Sequence, residues 1–384
     1  MLAKSPDRLL EYLGAIARLA PLIAEHRETF DQERRLPDTV FQALADAGLF
    51  RLWLPEALGG PELPPSEFMM VVEAVSALDG SVGWLVGNGA GMSRIGGYLP
   101  EAIARDLFAD PRAYVVSATG AIGAAQRTDG GYRITGRWPF GSGAHHATRF
   151  MGLASLKGPD GGDEPPRCFY FDRGDVLVHD TWRVSGLRAT GSCDFEVRDL
   201  FVPESHTHLF MGHKATEAGV YRLPALSAFA WTVSVVPLGI ARGAMDAFAE
   251  LVTRKTRAGT SAPLCDREIV QASFGRAEAL HRSGRAFLLD AMAELMAAQL
   301  QEDERLVQAR AMFRVACTHA AESAVRIVDM LAADAGAIAI FETSPLERFV
   351  RDIHAAVKHI AMSPNNYTVA GRLGFGLEPG TLRF

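Results

Sequence analysis

The residues that could do chemistry are few and scattered. Ser142 sits in the small-residue run Trp138–Gly143 (WPFGSG), and Ser117 and Thr119 lie upstream in AYVVSATG. Hydroxyls there could hold a proton or bond the polar edge of a ring. Spacing alone reads Ser142 as a turn serine and the other two as strand residues. Trp138 reads either as a surface for a flat ligand or as the aromatic anchor of its domain. His354 and His359 lie in a C-terminal helical run, about one and a half turns apart, so they face different ways. An imidazole suits proton work near neutral pH, although a surface or capping histidine has the same sequence signal. His145 and His146 are adjacent; in a strand they face opposite sides and at most one could enter a site. They lack metal-ligand spacing, and no metal is expected. Arg254, in FAELVTRKTRAG, could clasp a phosphate with its forked donors, or form a solvated basic cluster with Lys255 and Arg257. Trp84, Asn88 and Met92 follow one another at single-turn spacing in a glycine-rich run and could line a pocket.

These residues need three kinds of support. Residues 1–112 read as an N-terminal all-α domain: Leu9, Leu10, Leu13, Ile16, Ala17 and Ala20 repeat with helical period, Asp38–Leu49 follows Pro37, and a helix runs from Ser66 to about Leu78. Between the last two, FRLWLPEALGGPELPPSEF is a Pro- and Gly-rich loop. Residues 113–221 break into short β-branched or aromatic runs such as YRITGRWPF, RCFYFD and DFEVRDLFV, which predicts an antiparallel β-domain. Residues 222–384 return to helix, with long segments starting near Ala225, Asp266, Asp303 and Pro345 and an alanine-rich pattern suited to a C-terminal four-helix bundle.

Bulk properties narrow the function. Lys+Arg 39 against Asp+Glu 45 leaves a charge of −6, no electrostatic reason to bind nucleic acid or an anionic membrane. Cys168, Cys193, Cys265 and Cys317 form no CxxC pair, so a zinc or dithiol site is not expected and reduced thiols in a cytoplasmic protein are. The N-terminal 28 residues read as an amphipathic helix rather than a signal peptide, and no apolar run of about 20 residues predicts a membrane span. No GxGxxG follows a strand, which argues against a nicotinamide-binding domain.

Four segments, in order, carry a resemblance. GLFRLWLPEALGGPELPPSEFMMVVEAVSALDGSVGW, VSATGAIGAAQRTDGGYRITGRWPFGSGAHHATRF, VSGLRATGSCDFEVRDLFVPE and SPLERFVRDIHAAVKHI are together similar to the acyl-CoA dehydrogenase superfamily across nearly the whole chain. The resemblance implies an α+β fold with an N-terminal helical domain, a central β-domain and a C-terminal helical bundle. WPFGSG and GLRATGS look like the oxygenase components of two-component (group D) flavin-dependent monooxygenases. That branch implies reduced flavin, FMN or FAD, delivered by a separate reductase. It then implies oxygen transfer through a C4a-hydroperoxyflavin to a small aromatic or heteroatom-containing substrate. The alternative is an FAD enzyme of acyl-CoA dehydrogenase type that oxidises an acyl thioester. Abstracting a proton beside a thioester needs a carboxylate, and IHAAVKHIAMSPNNY after Arg351-Asp352 contains none. A third reading keeps the fold without catalysis.

By the same resemblance, Ser142 lies at the flavin N5 edge, where a hydroxyl in a dry site slows peroxide loss. Ser117, Thr119, Trp138 and Phe140 border the flavin ring, and Arg254 is a candidate for its phosphate. His359 serves as a base or hydrogen-bond partner at the substrate, beside Trp84, Asn88 and Met92. Phenol-hydroxylating relatives tend to carry a histidine where Met92 and Ser93 stand here, which allows a substrate needing no deprotonation. A homotetramer, built as a dimer of dimers, is also implied.

Overall fold

The computed structural model describes residues 6–158, 162, 164–211, 219–256, 261–300 and 305–381. The apolar spacing of the N-terminal zone forms α1 (Pro6–Glu25), α2 (Arg27–Glu33), α3 (Asp38–Asp46), α4 (Pro65–Leu78), α5 (Gly80–Met92) and α6 (Glu101–Leu107). Helix α3 stops short of the expected Leu49 because the chain turns through Gly48 at φ 72°, a left-handed conformation that glycine adopts without a Cβ penalty. Seven strands follow: β1 (Val115–Thr128), β2 (Gly131–Gly141), β3 (Arg149–Leu156), β4 (Arg167–Asp172), β5 (Leu177–His179), β6 (Cys193–Pro203) and β7 (Thr207–Leu209). The C-terminal zone holds α7 (Ala225–Ser234), α8 (Val236–Arg254), α9 (Glu268–Leu300), α10 (Leu306–Ala335), α11 (Pro345–Ala356) and α12 (Asn365–Gly374).

The chain packs as two units. One contains Met1–Phe68, Leu85–Val184 and Arg188–Ala225; the other contains Met69–Trp84, Ser185–Leu187 and Leu226–Phe384. In the first unit the strands form one sheet of order β5-β6-β2-β1-β3-β4-β7. β1 and β2 are joined by the two-residue turn Asp129-Gly130, with Gly130 at φ 73°, as a tight hairpin requires. The sheet is mixed, not antiparallel as expected. β3 passes over β2, which precedes it in the chain, and pairs with the opposite edge of β1. Two reversals of direction then leave β1 and β3 parallel, from Val115↔Arg149 to Ala125↔Leu156. Alternation in a strand reports burial, not the direction of its neighbour, so sequence period could not reveal this pair.

In the second unit α8, α9, α10 and α11 form the expected bundle, with α7 and α12 added. The segment expected from Ala225 is two helices, broken at Val235, with Pro237 in the first turn of α8 where a missing N–H costs nothing. The expected start near Asp303 lies outside the described residues. Small residues let helices approach: a Cβ on Gly243 would stand 2.3 Å from the Ala77 carbonyl oxygen and 2.6 Å from Phe349 Cζ. The stretch Ala225–Arg254 is apolar enough by composition to span a membrane, contrary to the sequence expectation, but 78% of that window is buried inside the protein. It is the core helix pair of the bundle.

Candidate active site

In the first unit, the end of β2 builds a hydroxyl-bearing turn. Phe140 adopts φ 65°, a conformation that costs a non-glycine residue about 1–2 kcal/mol. It leaves the ring 66% exposed, with only its edge near Trp182, 6.3 Å between centroids. The Ser142 amide then donates to the Phe140 carbonyl at 2.9 Å. Gly143 follows at φ 82°, and a Cβ there would lie 2.6 Å from Tyr114 Cε1, so both torsion and space require glycine. Ser142 Oγ hydrogen-bonds Ser192 Oγ at 2.9 Å, and Ser192 Oγ meets Thr190 Oγ1 at 2.7 Å. Ser117 and Thr119 alternate onto one face of β1, both half-buried.

Trp138 answers to one of its two readings. Its indole is fully buried, donates from Nε1 to the Leu153 carbonyl at 2.9 Å and stacks on Phe195 at 5.3 Å. Gly123, Gly136 and Gly152 crowd the ring so closely that a Cβ on any of them would come within 2.7 Å of it. It is the anchor of the sheet. Phe140, two residues on, presents the accessible aromatic face instead.

In the second unit, His359 follows α11 rather than lying in it. The helix ends at Ala356, and His359 caps a single 3₁₀ turn, Ile360–Met362. Its Nδ1 accepts the Ala361 amide at 3.2 Å. The turn is clamped from two sides: Arg314 of α10 donates to the Ile360 carbonyl at 3.2 Å, and Asn366 Nδ2 of α12 donates to the Ala361 carbonyl at 3.0 Å. The Trp84 ring meets His359 edge-on, 5.8 Å between centroids. The imidazole keeps accessible surface, yet protein crowds it on the wider radius that sets solvation. That desolvation, then the Arg314 charge, pulls its pKa down to about 4. His359 is therefore neutral at pH 7, with Nδ1 already an acceptor. The proton sits on Nε2, and the outward nitrogen is a donor. Of the two expected roles, base or hydrogen-bond partner, this geometry favours the hydrogen-bond partner.

His354 is engaged elsewhere: its Nε2 lies 2.9 Å from Asp329 Oδ1 at an exposed position. Of the expected pocket residues, Trp84 is thus brought to His359. Asn88 is half-buried and Met92 is 2% exposed, both further along α5. Arg254 makes an exposed i,i+4 ion pair with Glu250 at 2.8 Å, the solvated reading, and Arg257 lies outside the described residues. His145 and His146 occupy a turn, not a strand. His146 Nε2 donates to the Leu36 carbonyl at 2.9 Å while its ring stacks on Phe41 at 4.1 Å. Among the described residues, no three His, Cys, Asp or Glu stand together as a metal site. All four cysteines are free thiols.

Sequence reasoning missed two features. One is the Thr190–Ser192 pair behind Ser142, hidden because hydroxyl residues fifty positions apart carry no pairing signal. The other is a buried carboxylate pair. Asp79 Oδ1 caps α5, accepting from the Ser81 amide at 2.9 Å and the Val82 amide at 3.2 Å. Asp352 Oδ1 accepts the Leu187 amide at 2.6 Å. A Cβ at Gly186 would sit 2.0 Å from the Arg351 carbonyl oxygen, so only glycine lets that loop approach α11.

Two family models match: Acyl-CoA dehydrogenase, N-terminal domain, over residues 15–103, and Acyl-CoA dehydrogenase, C-terminal domain, over residues 231–364. An indole-3-acetate monooxygenase of Pseudomonas putida is 31% identical over 353 residues, covering 91% of this chain and 90% of that protein. The chain belongs to the acyl-CoA dehydrogenase superfamily. Within it, a flavin-dependent monooxygenase, oxygenase subunit HsaA, of Mycobacterium tuberculosis is 31% identical over 389 residues, 96% of each chain. The structure of XiaF from Streptomyces sp. in complex with FADH2 and glycerol superposes with TM-score 0.89 at 27% identity, covering 97% of each. The chain is the oxygenase component of a two-component flavin-dependent monooxygenase, and it uses reduced flavin. The first unit's residues fit such a ring. Ser142, Ser117 and Thr119 carry hydroxyls of the kind its polar edge needs, and Phe140 an exposed aromatic ring.

Proposed function

We propose that this oxygenase acts on a small aromatic substrate that carries a hydrogen-bond acceptor. The observation that supports it is the His359 imidazole, its Nδ1 engaged as an acceptor by the Ala361 amide, set against the Trp84 ring. An aromatic wall next to a fixed donor suits a flat apolar body with an oxygen or nitrogen at one end. The named substrate of the Pseudomonas relative, indole-3-acetate, has that form and is the first compound to try. When bound, reduced flavin supplies two electrons and activates oxygen. Ser142 holds the proton at the flavin N5, while Ser117, Thr119 and Phe140 seat the ring. His359 Nε2–H orients the substrate beside Trp84. Reduced FMN or FAD comes from a separate reductase. The active form is a homotetramer, and the free thiols suit a cytoplasmic location.

Anaerobic titration with reduced FMN and reduced FAD, followed by oxygen and indole-3-acetate, tests this reading. Binding of reduced flavin and substrate-dependent oxygen uptake with little free peroxide are expected. Tightly held oxidised FAD that an acyl-CoA bleaches without oxygen would overturn it.

A further inference from the structure

We propose that Ser192 is a positioning residue that sets the direction of the Ser142 hydroxyl, with Thr190 completing a three-hydroxyl rail. The inference rests on the reading of Ser142 at flavin N5. The three oxygens are bonded in series, Ser142 to Ser192 at 2.9 Å and Ser192 to Thr190 at 2.7 Å. Ser192 is 4% exposed and Thr190 is 1% exposed, so protein neighbours govern the order of their protons. The backbone holds the rail in register, since the Gly143 amide donates to the Thr190 carbonyl at 2.8 Å and the Cys193 amide donates to the Gly191 carbonyl at 2.7 Å.

A hydroxyl has one proton and can accept two. A row of three therefore has two orders in which every proton along it points the same way. In one, Ser142 donates to Ser192 and Ser192 to Thr190. Ser142 then turns a lone pair outward and accepts from an N–H. In the other, Thr190 donates to Ser192 and Ser192 to Ser142, and Ser142 turns its own proton outward. Reduced flavin carries a proton on N5, whereas oxidised flavin presents a lone pair there. A lone serine in a dry site would have to find a new partner for its proton whenever the flavin changed state. The rail supplies that partner in both orders: each hydroxyl keeps its proton and rotates its O–H from one neighbour to the other, and Thr190 turns to a partner beyond the rail when it is not donating to Ser192. Ser142 thereby matches the flavin before and after the reaction, and the reduced state is served by the order that leaves its N5 proton held.

Ser192→Ala and Thr190→Val remove the second and third hydroxyls with little change of volume, and Ser192→Thr restores the second. Each is compared with Ser142→Ala and with the Ser142→Ala/Ser192→Ala double variant. Two quantities are read: the ratio of Kd for reduced and oxidised flavin by fluorescence, and the peroxide released per oxygen consumed in the presence of substrate. The expected result is a roughly ten-fold loss of preference for reduced flavin in Ser192→Ala, the size of one hydrogen bond to a polar partner. A smaller loss is expected in Thr190→Val and recovery in Ser192→Thr. Peroxide release should rise in parallel, and the double variant should be no worse than Ser142→Ala. A Ser192→Ala protein that keeps the wild-type ratio and coupling while Ser142→Ala loses both would overturn the rail and leave the role of Ser142 standing. Additive losses in the double variant would also overturn it, because independent effects have no shared path. If Ser142→Ala itself changes neither quantity, it is the placement of Ser142 at N5 that fails. Should Ser192→Ala not fold, Thr190→Val and Ser192→Thr carry the same comparison.

Discussion

The Ala361 amide donates to His359 Nδ1 across 3.2 Å, and this bond decides which ring nitrogen carries the imidazole proton. A base at this position would need an unprotonated Nε2, and therefore a protonated Nδ1 facing an N–H. The structure forbids that pairing at neutral pH. His359→Ala should lower kcat/KM for an acceptor-bearing substrate by about 10- to 100-fold, the loss of one well-placed bond of about 1.5–3 kcal/mol. His359→Gln, which keeps a donor, should lose less. Because desolvation by the surrounding protein and the Arg314 charge hold the pKa near about 4, the pH profile should show no ascending limb from this residue between pH 5.5 and 8. A neutral-pH limb that disappears in His359→Gln would restore the base.

Asp352 and Asp79 place two carboxyls in one buried region, with Arg348 Nη1 3.7 Å from Asp79 Oδ2 and the Arg351 charge also acting on Asp352. Burial first, and the Asp79 charge second, push Asp352 up to about 7, against the Leu187 amide and the two arginines. A carboxyl raised in the folded state binds its proton more tightly there than in the unfolded chain. The stabilisation is complete below pH 4 and is lost as pH climbs through 7. Asp352→Asn keeps an oxygen for the Leu187 amide and removes the charge. Its melting temperature should therefore gain on wild type by a few degrees between pH 5 and pH 8. A gap that does not change with pH would mean that Asp352 is ionised throughout.

Much of this was legible in the chain. Helical period located α4 and the bundle, and WPFGSG located the turn that bears Ser142. What escaped detection depended on long-range geometry. Trp138 and Phe140 are both aromatic and two residues apart, so they share a strand face in any simple reading. The left-handed φ at Phe140 turns one ring out while three glycines from three strands enclose the other. His359 read as helical because nothing in HAAVKHIAMS marks the end of α11. The stop is enforced by Arg314 and Asn366, residues distant in sequence.

The enclosure of Trp138 makes its own prediction. Gly152→Ala would place a Cβ 2.6 Å from Trp138 Cζ2, and the sheet on both sides leaves the indole no room to withdraw. Overpacking of this kind costs about 1–3 kcal/mol. Losing the bond to Leu153 adds about 1 kcal/mol if the ring tilts. Chemical denaturation should show a loss of about 2–4 kcal/mol, and Trp138→Phe in the same chain should recover part of it by vacating the contact. Simple addition of the two losses would show that the ring has space the distances deny.

Acid should weaken the first unit through two histidines held neutral. Burial, the largest cause in each, pulls His146 and His208 down to about 4. His146 is locked by its bond to the Leu36 carbonyl and its stack on Phe41, and Asp38, 3.5 Å from Nδ1, only partly opposes the shift. His208 donates from Nδ1 to the Leu209 carbonyl at 2.8 Å and accepts the Tyr170 hydroxyl on Nε2 at 2.8 Å, so neither nitrogen has room for a second proton. An unfolded histidine titrates near 6.5, hence the unfolded chain binds more protons than the native one between pH 6.5 and 4. Stability from these groups is complete above that window and falls as pH drops through it, the reverse of the Asp352 effect. His146→Gln and His208→Gln, which keep a donor for the carbonyl but cannot become charged, should each flatten the decline of the denaturation midpoint across pH 6.5 to 4. They should do so even if they lower stability at pH 8, where the lost ring packing alone is felt. A decline as steep in the double variant as in wild type would assign acid sensitivity to other groups.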